Sequence, residues 1–105
     1  MRTALVTGLA ILLMAGCSWV KVEHGADSVR LVQASQVRNC ERLGTTTTSV
    51  RSRVAGVERS SRKVAEELAN LARNSAWEMS GDTIVADGPV DEGRQRFVVY
   101  RCRSR

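Results

Sequence analysis

The feature that most restricts what this 105-residue chain can fold into is an apolar run that ends in a cysteine. Residues 4–14 read ALVTGLAILLM, about eleven positions, whereas a helix needs roughly 20 apolar residues to cross a hydrocarbon core. The run is too short to span. It begins behind a cationic start, Met1-Arg2-Thr3, and runs into Ala15 and Gly16, small residues of the kind a processing peptidase accommodates. This is signal-peptide architecture, so residues 1–16 are expected to be cleaved and the remainder to fold as an exported domain.

The small pair leads directly into Cys17, and Met14-Ala15-Gly16-Cys17 resembles the bacterial lipobox. The resemblance implies a diacylglyceryl group on the Cys17 thiol, cleavage just before it, and an acyl chain such as palmitate on the new amino terminus. Each buried methylene contributes about 0.8 kcal/mol, so two or three chains hold a protein on a bilayer in a way that one does not. Ser18, where an Asp would signal retention, implies transfer to the outer membrane. Trp19 fits either the headgroup zone, with its apolar body and polar N–H, or a core contact.

Removing 16 residues from 105 leaves 89, one small domain at most. The full chain carries 16 basic and 11 acidic side chains. Nearly all the cations are Arg, whose planar guanidinium suits bidentate contact with carboxylate and phosphate. In an envelope the matching polyanions are phospholipid headgroups, lipopolysaccharide phosphates and peptidoglycan carboxylates, so nucleic acid is not an expected partner. A solubilising surface without a ligand is the plainer reading of the same charge.

A chain this short buries little surface and gains from a covalent staple. With Cys17 assigned to lipid, Cys40 and Cys102 remain, 62 residues apart. An even pair in an oxidising compartment is most simply a disulfide. There is no C-x-x-C redox spacing and no Cys/His cluster suited to zinc.

The mature chain divides into a tether, residues 17–27, and a folded part, residues 28–105. Residues 28–33 (SVRLVQ) are rich in β-formers, and Ala34-Ser35-Gln36 reads as a break. A second extended piece is expected from about Cys40 through the run Thr45-Thr46-Thr47-Thr48, fraying into a loop over residues 51–56. The Thr run is also compatible with a polar loop, because Thr favours extended backbone yet offers no large apolar face. From 58 to 79 the period becomes helical: Val57, Val64, Leu68, Leu71, Ser75 and Met79 fall in one sector at about 100° per residue, flanked by Ala65, Ala69, Ala72 and Ala76. Ser60 or Ser61 is placed to cap the start, and Gly81 to end the helix in a left-handed conformation. Residues 82–86 and 96–102 then read as strands joined by a turn-rich link. The order β-β-α-β-β predicts a small α+β domain, one helix across an at least partly antiparallel sheet, closed by one disulfide.

Trp77 departs from the core stripe. It falls about 220° from Val64 on the helical wheel, among Arg59, Glu66, Asn70 and Arg73, with Arg73 four residues earlier and able to stack on it. Two readings stay open. Trp77, Arg73 and Arg59 form an exposed partner surface of the type found at binding hot spots, or the tether or the loop before the helix folds over the indole.

Together the lipobox, Val37-Arg-Asn-Cys40-Glu-Arg-Leu43-Gly44, the helical Ala-x-x-Leu-x-x-Leu-Ala, Met79-Ser-Gly81-Asp82-Thr-Ile-Val85 and the closing Val99-Tyr-Arg-Cys102 resemble a family of small bacterial lipoproteins with a domain of unknown function. That family is similar to RcsF, the outer-membrane stress-sensor lipoprotein. The resemblance covers most of residues 28–103 and implies an RcsF-like α+β domain, a Cys40–Cys102 disulfide and no catalytic or ligand residues to carry over. RcsF-like sensors have four cysteines in the domain and a longer, proline-rich tether. This chain has two there, with Pro89 as its one proline, which makes the uncharacterised relatives the closer comparison.

Catalysis finds little to work with. His24 is the single histidine and lies in the tether, which leaves no Ser-His-Asp or His-ligated metal site in the folded part. There is no Gly-rich phosphate loop and no H-E-x-x-H. Asp87, Asp91 and Glu92 share a loop but not an EF-hand spacing, and Glu66 and Glu67 point about 100° apart on the helix. The expectation is a protein without enzymatic activity, cofactor or metal: an outer-membrane-anchored domain facing the periplasm that works through protein contacts. The alternatives are RcsF-like stress signalling or a module for acidic lipopolysaccharide or peptidoglycan, using Arg51, Arg53, Arg59 and Arg62 around the helix entrance.

Overall fold

The computed structural model describes residues 22–103. Cys17 and Trp19, with the signal peptide and the first five residues of the tether, lie outside the described residues. The secondary structure comprises β1 (Arg30–Val32), β2 (Glu41–Ser49), a short hairpin of β3 (Arg53–Val54) and β4 (Val57–Glu58), helix α1 (Ser61–Glu78), β5 (Thr83–Ala86) and β6 (Arg94–Arg101). Four strands form one sheet in the order β1-β5-β6-β2, with β1 parallel to β5 and the other neighbours antiparallel. The α+β class and the one helix match expectation, and the hairpin occupies ground that the sequence pattern left as loop.

The Thr run is strand. Alternation resolves its ambiguity: Thr48 turns inward and is buried, while Thr45 and Thr47 are exposed. Burying a hydroxyl without a partner is costly, and Thr48 Oγ1 avoids this by donating to the Leu68 carbonyl of α1 at 3.1 Å. That bond ties an edge strand to the helix above it.

Helix α1 starts at Ser60, whose side chain accepts from the Lys63 backbone N–H. Its buried face consists of Val64, Leu68, Ala69, Ala72 and Ala76, packed on Ile84, Phe97 and Val99 of the sheet and on Val29. Full burial of residues the size of Phe97, Leu68 and Ile84 contributes about 1.5–3 kcal/mol each. The face is turned from the expected Leu71 and Ser75 toward the alanine flank, because three alanines let the helix backbone lie close to the sheet. Val57, expected on this stripe, sits instead on β4 and is 68 % exposed. At the other end it is Ser80, φ 67°, that takes the left-handed conformation. Gly81 is required for space instead, since a β-carbon there would overlap Val99 Cγ1 and crowd the Tyr100 carbonyl.

Residues 26–28 form a single 3-10 turn that packs on α1, and Ala26 and Val29 are fully buried. The docked chain therefore begins in what the sequence reading assigned to the tether. The link from β1 to β2 joins opposite edges of the sheet. Since α1 covers one face, residues 33–40 cross on the other, and Val37 of this link is buried without belonging to the helix-side core.

Candidate functional site

Chemistry-bearing residues gather at both ends of the sheet. At the end where β2 begins and β6 finishes, Cys40 and Cys102 are joined, with Sγ–Sγ 2.07 Å and Cα–Cα 4.4 Å. Directly beside them is a group the sequence reading did not single out. The Asp82 carboxylate, 3 % exposed, accepts the Cys102 N–H at 2.8 Å and the Thr83 hydroxyl at 2.9 Å on Oδ1, and the Arg103 N–H at 2.9 Å on Oδ2. Burial is the largest single influence on its ionisation and acts to raise the pKa, but the three hydrogen bonds and the Arg103 charge together outweigh it, so Asp82 is held below the usual Asp value. A buried carboxylate that accepts three hydrogen bonds in this way is a structural latch on the last strand. Its only sequence signal is an acid placed between a helix-ending Gly81 and a β-branched strand.

At the opposite end, the four arginines around the helix entrance do not form one free cationic cluster. Arg59 donates to both Glu67 oxygens, NH1 to Oε1 at 3.0 Å and NH2 to Oε2 at 2.7 Å, and NH1 also donates to the Arg51 carbonyl at 3.1 Å. The side-chain hydrogen bond from Arg59 is the main cause holding Glu67 below the ordinary Glu value, and it raises Arg59 in turn. Arg53 pairs with Glu58 across the β3–β4 hairpin at 3.5 Å, in full solvent contact. Arg59 thus fixes the hairpin's exit to the second turn of α1.

Trp77 and Arg73 are likewise engaged within the fold. Residues 23–29 lie along the flank of α1 that the wheel had marked as polar. Asn74 Oδ1 accepts the Glu23 N–H at 2.7 Å, and Arg73 Nε donates to the Val29 carbonyl at 3.0 Å while NH1 reaches Asn70 Oδ1 at 3.0 Å. Gly25, at φ 94°, lies so close to the indole that a β-carbon would overlap Cζ2 and Cε2. The tether folds over Trp77, which is half-buried and packs on the core. Of the two readings of this residue, the covered one describes its geometry.

A concavity lies between the hairpin, the start of α1 and the β5–β6 link. It has a volume of ≈ 500 Å³, with Val64, Ala65 and Val90 as apolar lining and Arg53, Glu58 and Arg59 among the polar lining. Val90 of this lining is 39 % exposed, while Val54 and Val57, 51 % and 68 % exposed, form the next register pair of the hairpin and do not line the concavity. Asp87 of the β5–β6 link pairs with Arg96 at 3.0 Å, and no group of three or more metal-ligating side chains occurs among the described residues. No helix among them is long and apolar enough to cross a membrane.

Residues 20–102 match a family described as a domain of unknown function, DUF4156, and the chain belongs to that family. No curated protein and no solved structure matches it.

Proposed function

Starting from membership of the DUF4156 family, we propose that the protein is a non-enzymatic envelope lipoprotein. In this reading it is anchored in the outer membrane through lipid on Cys17 and presents its α+β domain to the periplasm as an interaction module. The observation that carries this reading is the docked tether. Glu23, only six residues after the lipobox-like cysteine, is already fixed to the domain through Asn74. An exported domain built to act at a bilayer needs this economy, whereas a freely diffusing one does not. Arg59, Glu67, Arg53 and Glu58 are engaged in ion pairs within the fold, which favours recognition by shape and apolar contact over chemistry at a reacting bond.

The similarity to RcsF rests on motifs around Cys40 and Cys102. The proposal takes from it the envelope setting and leaves stress sensing aside. The groove between hairpin and helix, with Val64, Ala65 and the exposed Val90 as its apolar lining, is the surface offered to a partner protein. Lipopolysaccharide or peptidoglycan binding by the helix-entrance arginines is the weaker reading, because Arg59 and Arg53 are already paired. Replacing Cys17→Ser tests the foundation. The variant is expected to leave the membrane fraction or to stall as the unprocessed precursor, and unchanged processing and fractionation would refute the anchor.

A further inference from the structure

We propose that the side of the domain opposite α1 rests on the anionic phospholipid headgroups of the membrane that carries the anchor. The inference rests on lipid attachment at Cys17 and adds an orientation to it. Between Cys17 and the docked Glu23 the chain can reach at most about 20 Å. Along α1, Asn74 and the helix start at Ser61 are separated by a similar distance, about 20 Å at 1.5 Å per residue. The hairpin end can therefore touch the bilayer only with the tether fully stretched, while the end bearing Glu23 and the disulfide stays close to it.

Charge distinguishes the two sides at that near end. Arg30 pairs in register with Thr83, Thr83 with Tyr100, and Tyr100 with Arg42. These four side chains form one row across the sheet on the face away from α1, since Ile84 and Val99, on the opposite parity, meet the helix. An aromatic with arginines at both ends of its row is the arrangement that suits a headgroup layer. Arg38 is on the link that crosses this same side, and no carboxylate occurs between Asp27 and Glu41. Arg30, Arg38 and Arg42 are exposed and have no ion-pair partner among the described residues. Farther along the face come Arg94 and Arg96, with two acids beside them, Asp91 bridged to Arg94 through the backbone and Asp87 paired to Arg96. The acids Glu66, Glu67 and Glu78 are all on the helix. A cation beside an anionic leaflet strengthens association about fivefold, and tethering makes the encounter intramolecular, so three free arginines suffice to keep the domain seated.

The test uses the full lipidated protein in vesicles of phosphatidylcholine alone or with phosphatidylglycerol, followed by hydrogen exchange. With phosphatidylglycerol at low salt, amides of the link 33–39 are expected to slow by about 25-fold, the product of two engaged arginines at about fivefold each, while hairpin amides 53–58 do not change. High salt should abolish the protection while the protein still floats with the vesicles. Combined Arg30→Gln, Arg38→Gln and Arg42→Gln substitution should do the same, with exchange in β5 and β6 reporting that the fold is intact. Protection that is absent, equal at both ends, or indifferent to lipid charge and salt overturns the seating alone. Failure to float even with phosphatidylcholine overturns the anchor, and the seating with it.

Discussion

Replacing Asp82→Asn is expected to destabilise the domain by about 3.5–5 kcal/mol at neutral pH. Asp82 receives two backbone N–H groups and one hydroxyl at 2.8–2.9 Å in a buried site. Hydrogen bonds to a charged acceptor contribute roughly 1.5–3 kcal/mol and neutral ones about 0.5–1.5. The amide retains one oxygen, so the bonds from Cys102 and Thr83 weaken by about 1 kcal/mol each. Its NH₂ then faces the Arg103 N–H, donor against donor, and that bond is lost. For a domain of this size each 1 kcal/mol moves the midpoint by about 4–8 °C, so the midpoint of thermal denaturation followed by circular dichroism should fall by at least about 14 °C. The pH dependence supplies a second signature. Because the folded pKa lies below the unfolded one, the unfolded state binds more protons in the window between them. The Asp82 contribution is thus complete above the unfolded Asp pKa and is lost as pH falls through the folded value. Glu67, also depressed, adds to the acid loss equally in both proteins. The gap between wild type and variant should therefore close in acid. A gap that stays constant to pH 2, or no gap at pH 7, would refute the latch.

Removing the disulfide by paired Cys40→Ser and Cys102→Ser substitution frees a 62-residue loop in the unfolded state. It should cost about 4 kcal/mol in denaturant unfolding, and a loss under about 1 kcal/mol would show that loop closure contributes little. Gly25→Ala places a β-carbon against the Trp77 ring at a positive φ that itself costs a side-chain-bearing residue about 1–2 kcal/mol. Hydrogen exchange should report lost protection at 23–29 with β5 and β6 unchanged, and full protection at 23–29 would sink the claim that the tether is clipped there.

What the sequence conveys about this fold is its pattern, and what it withholds are contacts between segments far apart in the chain. The helix, the Thr strand and the Cys40–Cys102 pair follow from period, β-branching and cysteine count, all local or combinatorial signals. The hairpin is hidden because its strands have two residues each and no alternation to display. Asp82 is hidden because its partners are 20 and 21 residues away. Trp77 misleads for a physical reason: a helical wheel assumes that one face meets the core and the other meets water, and here residues 23–29 provide a second apolar contact on the flank. Arg59 misleads similarly, since its partner Glu67 is two turns into a helix that Arg59 itself precedes.

These contacts also divide the molecule by stability. The end that holds the disulfide, Asp82 and the docked tether is cross-linked covalently, by charge-assisted hydrogen bonds, and by fully buried Ala26 and Val29. The hairpin end is held by Arg59 and by the Val50 and Arg59 backbone N–H groups, which donate to Gly93 and Ser52 at 2.8 and 2.9 Å. Local opening draws on the regions with the fewest buried contacts, so the hairpin and the β5–β6 link should exchange before the rest of the sheet. Those are the segments that frame the groove. A domain fixed at the disulfide end and looser at the hairpin end can open the groove by moving the hairpin, without loosening the contacts that hold residues 23–29 on α1.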